Sequence, residues 1–241
     1  MGRHGGEHIL TRFDGDLHGL RDLALTMGET AIALVEKAIG ALLDADAGAA
    51  RQVIYQQKRI NELDMEGQEE GVRILATHSP VARDLRLVVC LMRCFNELER
   101  TANQARRISR IVQREQEEDG HSPSGKAIFS DVAVLAEEGV GMMRLALEAM
   151  RVRDVEAAVA VLQADARLDQ LFEGAMRRLA TFLFEDARNI RSVMDAVFAL
   201  KAMERVGDHA ANIAAQLIYA VKGVDVRYVK ADNLSAEYLG R

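Results

Sequence analysis

Four carboxylates stand in two pairs at helical spacing. Asp165 and Asp169 are four residues apart, and so are Glu204 and Asp208. On a helix that spacing puts both members of a pair on one face. The rest of the first face is apolar: Val155, Ala158, Leu162, Phe172, Met176, Leu179 and Leu183 share the stripe of Asp165 and Asp169. Glu204 lies in a second stripe with Ile190, Val193, Val197, Leu200, Gly207 and Ala211. A carboxylate on an apolar face is costly unless something pairs with it. If the two helices are neighbours, all four acids converge. An oxygen-rich cluster of that kind suits a hard or borderline cation such as Mg²⁺, Mn²⁺ or iron, and helix bundles house such sites in their cores. Ion pairs to Arg188, Arg191 or Arg205 answer the same need without a metal. Spacing alone leaves both readings open.

The pattern is written twice. Ala82-Arg83, Arg86, Val88, Glu99-Arg100, Ala105 and Ile108 reappear 105 residues later as Ala187-Arg188, Arg191, Val193, Glu204-Arg205, Ala210 and Ile213. Self-similarity at a fixed offset marks a duplicated structural unit. Under the same offset Asp169 maps to Asp64 and Glu204 to Glu99, but Asp165 maps to Ile60 and Asp208 to Asn103. The first copy therefore keeps two acids, Asp64 and Glu99. A metal there would bind more weakly, or would draw on Gln57, Asn61 or water.

Other chemistry is sparse. Glu-x-x-His, the spacing of ferritin-like di-iron sites, occurs once, at Glu118 and His121 in a polar stretch. His209 follows Asp208 and points about 100° away from it on a helix. Cys90 and Cys94 have no second Cys/His pair at zinc spacing and read as small buried hydrophobes. There is no Gly-rich phosphate loop and no Gly-x-Ser-x-Gly elbow. Nothing resembles a catalytic apparatus, so the expectation is a protein that is not an enzyme. Arg106, Arg107, Arg110 and Arg114 read as a solvated face near a helix C-terminus, where the dipole favours them, or as a contact for an acidic partner.

The elements that position these residues are helices. The chain has 241 residues, 49% hydrophobic and 28% charged, with two prolines and no tryptophan. The net charge of −6 argues against a general nucleic-acid binder. No apolar run approaches the roughly 20 residues that span a bilayer, and the start MGRHGGEH has no apolar signal region. A cytoplasmic protein that is not an integral membrane protein is expected. Heptad spacing from Phe13 to Ala41 gives the first helix, which ends near Asp44-Ala45-Asp46. The second runs from about Ala47 to Ala76. Ser79-Pro80 reads as the cap and first position of a third, whose stripe is Leu85, Val88, Met92, Phe95, Glu99 and Ala102. The fourth follows Ser130, the fifth starts near Asp154, and the sixth runs from about Asp186 to Lys222, with Gly223 beyond its end. This predicts an all-α protein, a tandem duplication of two antiparallel three-helix bundles: residues 1–116, a polar linker at 117–126, and residues 127–241 with a short C-terminal tail.

At these residues the sequence resembles the PhoU family, bacterial accessory proteins of phosphate-specific transport. The resemblance covers nearly the whole chain. It rests on Phe13-Asp14 with Leu17, Met27-Gly28, Ile60-Asn61-Glu62-Leu63, Pro80-Val81-Ala82-Arg83-Asp84-Leu85-Arg86 and Glu97-Leu98-Glu99-Arg100. In the second copy it rests on Glu185-Asp186 with Arg188 and Ile190, on Met203 to Ala210 with Asn212-Ile213, and on Tyr219 to Arg227. No one motif decides it; their order and duplication do. The resemblance implies twin three-helix bundles and negative regulation of phosphate uptake and of the phosphate-starvation response. It implies an adaptor between the ATPase of the phosphate ABC importer and a phosphate-sensing histidine kinase, as a homodimer. It also implies multinuclear iron or zinc held by Glu/Asp-x-x-x-Asp motifs, which Glu204-x-x-x-Asp208 and Asp165-x-x-x-Asp169 match and Glu99-x-x-x-Asn103 does not. A carboxylate-bridged metalloenzyme or metal sensor is the competing reading, weakened by the missing Glu-x-x-His pairs. A purely structural scaffold with salt-bridged acids is the third.

Overall fold

The computed structural model describes residues 4–117, 125–227 and 229. Among them every regular element is helical: α1 (His4–Leu43), α2 (Ala47–His78), α3 (Ala82–Glu117), a single turn α4 (Gly125–Ile128), α5 (Ser130–Val152), α6 (Val155–Glu185), a 3-10 turn (Ala187–Asn189) and α7 (Ile190–Lys222). None of the helices is long and apolar enough to cross a membrane.

The chain stops and restarts these helices by the same local device in both halves. Ala45 takes a left-handed conformation (φ 52°), and Asp46 then caps α2 by accepting from the Ala49 amide at 2.9 Å. Arg153 (φ 59°) ends α5, and Asp154 caps α6 by accepting from Glu156 and Ala157 at 2.8 and 3.2 Å. Each cap satisfies amides that the first helical turn leaves without intrahelical partners.

Within each half the three long helices pack on one another, α1 with α2 and α3, and α5 with α6 and α7. The halves join through α3 on α7 and α1 on α5. One hydrophobic core runs through both, with Leu20, Met27, Ile60, Leu63, Phe95, Leu98, Leu135, Met143 and Leu168 fully buried. Two glycines set the closest approaches. A Cβ at Gly67 would lie 2.3 Å from the Phe95 ring, and one at Gly207 would lie 2.1 Å from Leu168 Cδ2. Between the halves α3 and α7 run antiparallel. Arg86 donates to the Ala220 carbonyl (3.4 Å), Arg93 to Gln216 (3.0 Å) and Arg114 to Asp195 (2.8 Å), so α3 advances as α7 recedes.

Several boundaries differ from the expected ones. Ser79 does not cap the third helix. It closes the second in a left-handed conformation (φ 45°), its amide bonded to the Leu75 carbonyl at 3.1 Å, and α3 begins at Ala82. The residue before a proline is pushed away from right-handed helix, which places the break at Ser79-Pro80. As a result Leu85 faces solvent at 40% exposure rather than lying in the core stripe. The sixth expected helix starts four residues later than Asp186, after the 3-10 turn, and Ile190 is 60% exposed. The turn α4 was not foreseen. Most of the expected linker (residues 118–124, including the Glu118 and His121 pair) and most of the expected tail lie outside the described residues.

Candidate functional site

Helix α6 carries Asp165 and Asp169, and α7 carries Glu204 and Asp208. The two helices pack side by side because Leu168, 1% exposed, fills the notch at Gly207. That contact falls between the two acidic pairs and brings them together. The electrostatics records the convergence. Burial raises the Asp165 carboxyl to about 6, and the charges of Asp169, Asp208 and Glu204 add to the rise. Asp208 is also raised, by burial of its carboxyl first and then by Glu204, although the residue as a whole lies at the solvent edge.

A cation joins the cluster. Lys201 pairs with Glu204 Oε1 from the preceding turn of α7, and its ammonium lies 5.2 Å from the centroid of the Phe172 ring. Of the expected arginines, Arg188 serves elsewhere, bound to Asp186 through several contacts of 2.8 to 3.1 Å, and Arg191 acts on Asp195. The second Glu204 oxygen, Oε2, is buried and has no hydrogen-bond partner. A buried carboxylate oxygen without a partner, beside three more carboxylates, has the donor chemistry of a hard or borderline cation. The side chains do not stand around one point: among the described residues no three His, Cys, Asp or Glu side chains are placed to hold an ion together. A metal here requires the carboxylates to turn inward and Lys201 to release Glu204.

The first copy is built differently. Asp64 and Glu99 line an open cavity of about 670 Å³ together with Asn61, Asn96, Arg93 and Arg100. Amides occupy the acids there. Asn103 donates to Glu99, Gln57 donates to Asn103 at 3.5 Å, and Gln68 donates to Asp64 at 3.3 Å. The Asn103 that replaces a fourth acid thus donates a hydrogen bond to its neighbour instead of adding charge.

Between the copies, His209 is no part of the cluster beside it. Its Nδ1 meets Glu97 of α3 at 2.8 Å, and Asn212 donates to the same oxygen at 3.3 Å. The contact spans 112 residues, and nothing local in the sequence announces it. Lys201 was legible, since it stands three residues before Glu204, the spacing of neighbours on a helix face. Of the four arginines read as a solvated face, Arg114 pairs with Asp195 in α7, which is 6% exposed, and Arg107 bonds Gln104 at 3.3 Å. Cys90 and Cys94 are free and buried, and the Cys94 thiol is pushed well up by its hydrogen bond with Cys90 and by burial, which makes it an unreactive core group.

Two three-helix bundles joined along α3 and α7, each carrying acids on a packed helix pair, define a duplicated all-α helical protein. Residues 24–112 and 132–217 each match the PhoU domain. The chain is 37% identical over 233 residues to the phosphate-specific transport system accessory protein PhoU homolog of Pseudomonas putida, covering 97% of this chain and 90% of that one. It is 33% identical over 235 residues to the phosphate-specific transport system accessory protein PhoU of Escherichia coli strain K12, covering 98% and 95%. The crystal structure of PhoU from Pseudomonas aeruginosa matches with a TM-score of 0.81 at 37% identity, over 88% of this chain and all (100%) of that one. The PhoU structure from Streptococcus pneumoniae shares the fold, with a TM-score of 0.79 at 24% identity. The chain belongs to the PhoU family.

Proposed function

We propose that this protein serves a phosphate transport system as a non-enzymatic accessory. In this reading it restrains phosphate uptake and the phosphate-starvation response, bridging the ATPase of the phosphate importer and a phosphate-sensing histidine kinase. It works in the cytoplasm as a homodimer. The observation that carries the reading is near full-length identity to proteins named for phosphate-specific transport, 97% of this chain at 37% identity. The helical body suits an adaptor, since its long faces offer charged ridges for reversible, charge-guided contacts, and one end exposes Phe184, Ile190 and Phe198. We further assign Asp165, Asp169, Glu204 and Asp208 as ligands of iron or zinc in a multinuclear site, or of Mg²⁺ or Mn²⁺. Glu204 Oε2, buried without a partner, supports that assignment. Asp64 and Glu99, already held by amides, form the weaker site.

The cellular test compares a phosphate-starvation reporter in deletion and parent strains in phosphate-rich medium. The reporter is expected to be on in the deletion strain and silent in the parent. Equal, silent reporters overturn the regulatory reading.

A further inference from the structure

Three arginines from three segments meet at the seam between the halves, and among the described residues no carboxylate is hydrogen-bonded to them. Arg21 belongs to α1, Arg83 to the first turn of α3, and Arg153 closes α5. Arg21 and Arg153 line a narrow cleft of about 20 Å³, walled by Leu17, Leu87, Met150 and Leu217. The Arg21 Nε is buried and has no partner. Arg153 holds a left-handed backbone (φ 59°), which an L side chain adopts at a cost. Its guanidinium is driven below the ordinary arginine range by burial first and then by the charges of Arg21 and Arg83, with Asp84 and Asp14 opposing.

Other arginines hold carboxylates, although the Arg106 Nε is likewise buried without a partner. Arg73 pairs with Asp16 and Glu70, Arg114 with Asp195, and Arg178 with both oxygens of Asp131. In a chain of net charge −6 carboxylates are in surplus, yet among the described residues none is hydrogen-bonded to these three, and Asp84 and Asp14 act on Arg153 only through their charge. Cations crowded together without a bound anion repel one another, and partial burial strengthens the repulsion. The duplication does not repeat the arrangement. Arg188, the counterpart of Arg83, is bound to Asp186, and Ala45, which takes the same left-handed place before a capping aspartate as Arg153, carries no charge.

We infer that Arg21, Arg83 and Arg153 form a binding site for a phosphate-type oxyanion at the seam where α1, α3 and α5 meet. Guanidinium forks match pairs of oxygens on a tetrahedral oxyanion, so three of them from different directions recognise both its charge and its shape. The cleft is about the size that holds one water, so the anion sits at its mouth, and Arg83 stands one turn before the cleft residue Leu87 on the same face of α3. The inference stands on these side chains and is independent of the regulatory reading. Two sources share the chemistry, free orthophosphate and a phosphoryl group carried on a partner protein.

The test is calorimetric titration of the full chain at constant ionic strength with inorganic phosphate and, separately, with a phosphoserine peptide. The chains compared are wild type, R21Q, R153Q, R83Q and R144Q. Arg144 pairs with Glu36 on another face and serves as the control. Saturable binding is expected, with Kd raised about tenfold or more by R21Q, R153Q and R83Q and unchanged by R144Q, the effect of one lost charged contact. R83Q alters an exposed residue and stays folded, so the inference remains testable if the buried variants do not fold. Binding of orthophosphate assigns the site to the free ion, and binding of the peptide alone assigns it to a partner. No saturable binding of either, or equal binding by R83Q and wild type, overturns the inference.

Discussion

Replacing Asp165 with asparagine separates the two readings of the carboxylate cluster by the sign of two effects. Asp165 titrates near 6 in the folded protein against a reference of 3.8. A shift of about two units corresponds to about 3 kcal/mol at 1.36 kcal/mol per unit. That figure is a ceiling, because the cluster opens to solvent and screening reduces it, so about 1–2 kcal/mol is expected. The sign follows from proton binding. A folded state with a raised carboxyl pKa binds protons more readily than the unfolded chain. Wild-type stability therefore falls as pH rises from about 4 to about 6, and above that the ionised cluster carries the full penalty. In chelator at pH 7, Asp165→Asn should raise Tm by about 2–8 °C. The gain should shrink as pH is lowered through 6 and be absent near 4. With Mn²⁺, Fe²⁺ or Zn²⁺ the order should reverse, since ligand binding to the folded state stabilises it and the variant has lost a ligand. Thermal melts across pH, with and without metal, and metal content after dialysis give the readouts. A variant less stable than wild type in chelator at pH 7, with the same pH slope, refutes the electrostatic argument. Equal metal content in wild type and in the Glu204→Ala, Asp208→Ala double variant refutes the ligand assignment.

Two further outcomes follow from packing and charge. Gly67→Ala places a Cβ 2.3 Å from the fully buried Phe95 ring, and should cost about 1–3 kcal/mol as overpacking, read by chemical denaturation. Arg114→Ala removes the partner of Asp195, whose carboxyl burial already raises while Arg114 and Arg191 hold it down. The loss should be about 1–2 kcal/mol at pH 7, below the usual cost of breaking a fully buried pair because Arg114 is half exposed. It should be recovered as pH falls through the raised Asp195 pKa, and Asp195→Asn should remove that pH dependence.

Much of the fold was legible because helical periodicity is a local property. The stripe residues Ile60, Leu63, Val88 and Phe95 are buried as their spacing predicts. The breaks were less legible because two local rules compete. Ser79-Pro80 has the composition of a helix start, yet the restriction proline places on its neighbour ends the preceding helix first. The duplicated acids could be found by alignment of the chain with itself. The pairs across the halves could not, since Arg114 with Asp195 and His209 with Glu97 depend on how α3 docks on α7, a register that no local window contains. The arginine cluster was hidden for the same reason: Arg83 stood in the motif, but Arg21 and Arg153 come to it only through the fold.

Because α3 and α7 lie antiparallel, the two copies of the turn that bears the paired arginines point to opposite poles. The turn before Ala82 adjoins the end of α7, where Arg86 meets Ala220, and the turn before Ile190 adjoins the end of α3, where Arg114 meets Asp195. Helix α3 has 36 residues, which at 1.5 Å per residue sets the poles about 54 Å apart. Two related ends on a stiff shaft act as a ruler. The two related turns are thereby held at one separation, whatever the rest of the fold does around them. A break placed within α3 would then let that separation vary.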